Sequence, residues 1–243
     1  MNPVVDFIDS EGRPSTCEYT EEPASERCRE ILNRREHALF GISPFNSYFS
    51  ERNIRKLIQY AHKNFKDWHL IIPDNLPYFN LRAVGYTHEE AHKKQSHQNN
   101  RLLNKVARAF SGIQISKEEM SRKIALVSSF ISHPVYCNLH KICSKLYEED
   151  NSFRNECRNL ARAALRSYTP DNEESALDLA SGYLIGELPF VLNTPELFEV
   201  PSSLMVYHQR IDFFANVYKS TGYGLLSHSQ GHIVLKFYEE SNE

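Results

Sequence analysis

Four places in the chain carry side chains whose types and spacing suit chemistry on an ester or an amine. The first is Gly41-Ile42-Ser43-Pro44-Phe45-Asn46-Ser47-Tyr48. A serine just past the end of a buried strand stands where open α/β sheets bind ligands. The surrounding GISPF is not the GxSxG elbow of a serine hydrolase. The second is Tyr183-Leu184-Ile185-Gly186-Glu187-Leu188-Pro189. A phenol and a carboxylate four residues apart share one helix face, where together they can grip an ammonium group or pass a proton. The third is Tyr207-His208, which follows an apolar strand and offers two groups for a proton relay.

The fourth is a concentration of charge. From His92 to Lys123 the chain carries Lys93, Lys94, Arg101, Lys105, Arg108, Lys117, Arg122 and Lys123 against Glu118 and Glu119. The whole chain has a formal net charge of -3. Arg101, Lys105 and Arg108 stand at i, i+4 and i+7, a stripe suited to a phosphate backbone. Taken singly, each feature is commonly structural: a turn serine, an exposed polar pair, a strand-end pair, a solvated helix face. The pair at 183 and 187 departs from that pattern. Leu177, Leu179, Ala180, Leu184, Ile185 and Leu188 spread apolar side chains over most of the helix, so Glu187 is expected to be partly buried.

The elements that must position these residues are readable. Ala38 to Ile42 reads as a buried strand. Ser50 and Asn53 offer helix-start chemistry, and Ile54, Leu57, Ile58, Ala61 and Phe65 follow at helical spacing. His69 to Ile72 reads as the next strand, so residues 38–72 form a βαβ unit with a parallel sheet. Helices are predicted over 88–109, 117–131, 138–149, 152–167 and Asp171 to Leu188, the last stopping at Pro189. Leu204 to Tyr207 and Ile233 to Phe237 read as strands around a helix from Asp212 to Lys219. The fold class is α/β. Residues 1–30, with Pro14, Pro23 and an acidic run, read as a poorly ordered leader, and residues 31–243 as one domain.

With 243 residues, 41% hydrophobic and 24% charged, the composition is that of an ordinary soluble domain. No run approaches the ~18 uninterrupted apolar residues of a membrane helix, and the first residues show no signal peptide. The five cysteines, at 17, 28, 137, 143 and 157, form no CxxC pair. They read as reduced thiols in a cytoplasmic protein without a bound metal.

In combination, these motifs resemble the cyclodipeptide synthase family over residues 38 to about 237. The resemblance rests on the serine loop, on Pro73-Asp74 with Ala83-Val84-Gly85-Tyr86, on the basic helix, and on Tyr183-x-x-x-Glu187-x-Pro189. Asn46, Tyr207 and His208 look like the triplet that defines one subfamily. The resemblance implies a Rossmann-like parallel sheet flanked by helices, similar to the catalytic domain of class I aminoacyl-tRNA synthetases. It implies two aminoacyl-tRNAs as substrates, with no ATP, cofactor, metal or membrane and a monomeric chain. In agreement, the sequence has no HIGH motif and no P-loop or GxGxxG cradle.

The family's mechanism, carried onto these residues, makes Ser43 the nucleophile that accepts the first aminoacyl group. Tyr183 and Glu187 hold its ammonium. A second aminoacyl-tRNA then binds and its free amine attacks this enzyme ester, and a dipeptidyl-enzyme cyclises with Tyr207 relaying a proton. Asn46 and His208 position the loop and the tyrosine. The base for Ser43 is either the terminal ribose hydroxyl of the tRNA or Glu187. Leu39 and Gly41 line the first aminoacyl pocket, with Tyr136 reaching the site; an apolar pocket there favours a hydrophobic first residue. Arg101, Lys105, Arg108, Lys93 and Lys94 contact the tRNA. The rival readings are a non-catalytic tRNA-binding Rossmann-like protein and a serine hydrolase.

Overall fold

A computed structural model describes residues 3–8, 14–111, 113, 115–166, 168, 172–219 and 222–238. The chain begins with two strands, β1 (Val4–Ile8) and β2 (Pro14–Pro23), and a helix, α1 (Glu26–Arg34). Then come β3 (His37–Gly41), α2 (Glu51–Asn64), β4 (Asp67–Ile72), α3 (Pro77–Ala83) and α4 (His88–Ala109). A short α5 (Lys117–Lys123) leads into β5 (Ile124–Leu126) and a 3-10 turn, Val127–Phe130. Three helices follow, α6 (Pro134–Glu149), α7 (Asn151–Ala164) and α8 (Glu173–Leu197). The chain ends through β6 (Ser203–Tyr207), α9 (Asp212–Lys219) and β7 (Gln230–Tyr238).

The described strands form a seven-stranded sheet in the order β1-β2-β7-β6-β3-β4-β5. From β7 to β5 all neighbours run parallel, while β1 and β2 add an antiparallel hairpin beside β7. The five parallel strands, ranked by chain position, lie in the order of a doubly wound Rossmann sheet, with the order reversing between β3 and β6.

Alternation along the strands divides the core between two faces. Ala38 and Phe40 of β3 join Leu204 and Val206 of β6 on the face covered by α2 and α4, with Leu57, Ile58, Leu102 and Val106. Leu39 and Met205 point the other way, into a cluster with Tyr136, Phe190 and Leu76 under α3, α6 and α8. At the N-terminal end of the strands, His37 Nδ1 lies 2.7 Å from Ser203 Oγ and His37 Nε2 lies 2.9 Å from His69 Nδ1. Asp67 pairs with Lys123 at 2.5 Å. These groups tie β3, β4 and β6 together with the helix before β5. Burial, aided by His69, pushes the His37 imidazole down to about 3, so it stays neutral. His37, Asp67 and His69 hold ligand atoms within 4.8 Å of one another, and His37 and Asp67 have the partners just described.

Three expectations are corrected. The predicted poorly ordered leader is largely sheet: β2 pairs with β7 in register from Glu18↔Tyr238 to Pro23↔Ile233, and residue 30 falls inside α1. Its polar residues hid a period-two pattern in which Cys17 and Tyr19 are buried. The acidic run has a partner too, because Glu21 receives both terminal nitrogens of Arg35 at 2.6 and 2.7 Å.

The predicted helix over 117–131 breaks at Ile124. Residues 124–126 pair with Leu70, Ile71 and Ile72 of β4, and Asp74 accepts from Ser128 N and Oγ at 2.9 and 2.6 Å, holding the turn that follows. Pairing with a sheet edge overrides the local helical period.

The helix expected to stop at Pro189 continues. Packing against α3, α6 and α7 outweighs the lost backbone bond, and Tyr136 Oη donates to the Gly186 carbonyl at 3.0 Å, three residues before the proline. The real interruption is Asn193, at φ -156° and ψ 54°, whose Oδ1 accepts from Glu196 N at 3.4 Å and caps a short second segment. By length and apolar character α8 is sufficient to cross a membrane, yet most of it is buried inside this fold.

Candidate active site

The site is built where β3 and β6, neighbours in the sheet, reach their C-terminal ends. Ser43 lies two residues beyond Gly41, the last residue of β3. Tyr207 closes β6 and His208 follows it. In a doubly wound sheet the loops diverge at such a reversal and leave a crevice between them. The Ser43 loop is a pair of tight turns: Asn46 N donates to Ser43 O at 3.4 Å and Phe49 N to Asn46 O at 3.2 Å. It is braced from outside. Asn53 Nδ2 donates to Tyr48 O at 2.8 Å, and Lys105 Nζ of α4 donates to Phe49 O at 2.9 Å.

Asn46 connects the two strand ends. Its Nδ2 lies 3.3 Å from Tyr207 Oη and 3.3 Å from His208 Nε2, while its Oδ1 accepts from Tyr48 N at 2.9 Å. That last bond fixes the carboxamide orientation, so Nδ2 is the donor to both partners. His208 therefore accepts through Nε2 and carries its proton on Nδ1. Burial pushes the imidazole down to about 4, which matches a neutral acceptor. The Tyr48 ring stacks on His208 at 3.9 Å and 13°, and Phe49 meets it edge-on at 5.2 Å. Tyr207 Oη accepts from Asn46 and keeps its own proton free to donate. Burial raises the phenol to about 12, opposed by the Asn46 bond.

Tyr183 and Glu187 come from the opposite side, on α8. Burial pushes the Glu187 carboxyl up to about 7, with Tyr183 pulling the other way. Burial, and then the charge of Glu187, hold the Tyr183 phenol well above its ordinary value, while the Ser43 hydroxyl lowers it. Tyr183 Oη is buried and makes no hydrogen bond of good geometry among the described residues. Ser43, Tyr183, Glu187 and Tyr207 thus act on one another electrostatically across one crevice. The arrangement offers a hydroxyl, a carboxyl poised near neutrality and a phenolic proton donor.

The floor is made by the strands. A Cβ on Gly41 would stand 3.1 Å from Met205 Cε and 3.8 Å from Tyr207 Cδ2, so glycine leaves room beside the tyrosine ring. Leu39 is fully buried on the same face. Tyr136 is buried below, with its hydroxyl committed to Gly186 O; burial raises it to about 12, and Cys137 and then Glu187 add to the rise. It supports the floor and senses the carboxylate. The roof is α3, which approaches α8 at two glycines: a Cβ would lie 2.6 Å from the Phe79 ring at Gly182 and 2.4 Å from Leu76 Cδ2 at Gly186. Each glycine precedes a site residue, Tyr183 or Glu187.

The sequence profile of the cyclodipeptide synthase family matches residues 19–237. The chain belongs to the cyclodipeptide synthase family. A cyclo(L-leucyl-L-leucyl) synthase of Bacillus subtilis is 31% identical over 201 residues, covering 79% of this chain and 78% of that protein. The solved cyclodipeptide synthase of Staphylococcus haemolyticus is similar with a TM-score of 0.80 at 25% identity, over 90% of this chain and 99% of that one. A Mycobacterium tuberculosis structure, which related cyclodipeptide synthetases to type I tRNA synthetases, matches with a TM-score of 0.74 at 26% identity, over 96% of both chains. The fold is accordingly the mixed α/β architecture of the synthetase-like enzymes.

Within this cyclodipeptide synthase fold the basic residues of α4 divide into two groups. Arg101, Lys93 and Lys94 are exposed, Lys94 lying 3.8 Å over the Tyr86 ring. Lys105 and Arg108 turn toward the serine loop: Lys105 holds Phe49 O, and Arg108 Nε pairs with Glu51 at 2.8 Å. The predicted stripe is on one helix face, but two of its three cations brace α2 and the loop before it. Tyr48 and Phe49 were missed as site residues. Tyr48 ends the quoted serine loop and Phe49 follows it, yet only the fold reveals that their rings clamp His208.

Proposed function

We propose that this chain makes a cyclic dipeptide from two aminoacyl-tRNAs through an ester on Ser43. The observation that carries the reading is the convergence of Ser43, Glu187 and the Asn46-bridged Tyr207–His208 pair at the sheet's reversal point, in a chain of this family. The same bridge supports placing the chain in the Asn-Tyr-His subfamily.

Ser43 Oγ attacks the carbonyl carbon of the first aminoacyl ester, and the ribose oxygen of the tRNA leaves with a proton. Glu187, ionised, holds the ammonium of the bound aminoacyl group, with Tyr183 beside it. A carboxylate with a pKa near 7 can also take a proton from that ammonium and free the amine. Atom balance fixes the next direction. If the second substrate's amine attacked the seryl ester, the dipeptide would end on tRNA and Ser43 would be free. A dipeptidyl-enzyme requires the enzyme-bound amine to attack the second ester. The new terminal amine then attacks the seryl carbonyl, closing the ring and releasing Ser43, whose oxygen takes the proton relayed by Tyr207. The apolar floor at Leu39, Gly41 and Met205 favours a hydrophobic first residue.

The test is incubation with a mixture of aminoacyl-tRNAs, with products read by mass spectrometry. Diketopiperazines are expected, and wild type loaded with one labelled aminoacyl-tRNA should carry label in a base-labile bond. Ser43→Ala should form no product and carry no label. Free amino acids as the only product would make the chain a hydrolase. Label on Ser43→Ala would remove the seryl ester from the mechanism.

A further inference from the structure

Phe45 is 49% exposed, in a loop whose neighbouring rings Tyr48 and Phe49 are half-buried and buried. Asn46 N returning to Ser43 O makes Pro44 and Phe45 the two central residues of a tight turn. The rings of the adjoining segment point inward: Tyr48 and Phe49 close on His208, and Phe49 on Tyr207. Phe45 makes no ring contact among the described residues. Its backbone is held by the turn two residues from Ser43, and its side chain is largely exposed.

The position limits what can meet it. Two virtual bonds separate the Cα atoms of Ser43 and Phe45, at most about 7.6 Å. In an aminoacyl-tRNA the ester that must reach Ser43 is carried on the ribose of the terminal adenosine. With the ribose at Ser43, its adenine lies one nucleoside breadth away, within reach of Phe45. The aminoacyl side chain goes the other way, toward Leu39 and Met205. Resting on the reading of this site as an aminoacyl-tRNA site, the geometry points to Phe45 as the platform on which the 3′-terminal adenine of the substrate stacks. Aromatic side chains bind nucleic-acid bases in this way. A rigid turn also lowers the entropic cost of ordering the ring.

The test is a thermodynamic cycle with full-length protein and uncharged tRNA fluorescein-labelled at its elbow. Two tRNAs are compared, one intact and one lacking only its terminal adenosine. Phe45→Ala should weaken binding of the intact tRNA roughly tenfold and leave affinity for the shortened tRNA unchanged. Phe45→Trp should restore intact binding. Equal weakening with both tRNAs, or no weakening with either, would overturn the platform while leaving the aminoacyl-tRNA reading in place. Absence of intact tRNA binding to wild type would overturn that reading and the platform with it.

Discussion

At the scale of single residues, Glu187 sets how the site responds to pH. Its carboxyl rises from 4.5 to about 7 because burial disfavours the charge. A raised acid stabilises the fold below its unfolded value, and that stability is lost as pH climbs through 7. Between about pH 4.5 and 7 the folded chain holds the extra proton. Glu187→Gln removes this slope, so relative to wild type it should gain up to about 3 kcal/mol on going from pH 5 to pH 8, read by thermal unfolding. Activity runs oppositely. If ionised Glu187 grips the ammonium, kcat/KM of wild type should rise through an acid limb near pH 7, and a profile flat from pH 6 to 8 would remove the carboxylate from substrate capture. Tyr207→Phe keeps the ring and loses the donor, so it should still load Ser43 and accumulate labelled enzyme; failure to load would place Tyr207 in the first step. Among the residues named from sequence, Asn46 meets Tyr207 and His208 because the loop after β3 and the end of β6 are neighbours in the sheet. Tyr48 was not legible, since stacking on His208 joins residues 160 apart through the sheet.

At the scale of elements, the contact of α3 with α8 decides where Tyr183 and Glu187 point. A methyl at Gly182 would press into the Phe79 ring, with contacts of 2.6, 2.8 and 3.0 Å, and a ring yields only by moving as a whole. At Gly186 the closest atom is a methyl at the tip of Leu76, which a rotation can relieve. Gly182→Ala should therefore destabilise by about 1–3 kcal/mol of overpacking, less up to ~1 kcal/mol from better helix propensity. Gly186→Ala should lose less. Thermal unfolding of both variants ranks them, and the reverse order would mean the α3 backbone, not its side chains, sets the approach. Neither glycine was legible as a packing site, because an isolated glycine in a helical pattern says nothing of what lies across from it. Likewise β2 went unread because Pro14–Pro23 carries few apolar residues. Ala38 to Ile42 was plain because a central strand buried on both faces is apolar throughout.

At the scale of the whole molecule, α4 lays its charge beside the crevice, with Lys93 and Lys94 near its start and Lys105 against the serine loop. If tRNA lies along this helix, each exposed cation that meets a phosphate should lower the slope of log affinity against log salt by roughly 0.7–0.9 when replaced by alanine. Arg101→Ala should show that full change. Arg108→Ala should show less, because Glu51 already neutralises part of its charge. Equal slopes in all variants would move the tRNA to another face. The parallel βαβ core was readable from strands and helices alternating along the chain, and the stripe from its i, i+4, i+7 spacing. That two of its cations point home to the loop was not, since sequence spacing gives a face but not a neighbour.

The register of β2 with β7 has a consequence for the order of events as the chain is made. Glu18 lies opposite Tyr238, so a segment made early waits for one made much later. Until β7 arrives, the hairpin of β1 and β2 has nothing to join, and β6 stands as an open edge beside the nascent crevice. The sheet cannot be completed progressively from its beginning; it closes by insertion of its final strand between two that are already present. A chain stopped before Gln230 should consequently remain partly folded, binding hydrophobic dyes and lacking near-UV dichroism, and a peptide of residues 225–243 supplied separately should restore the compact form.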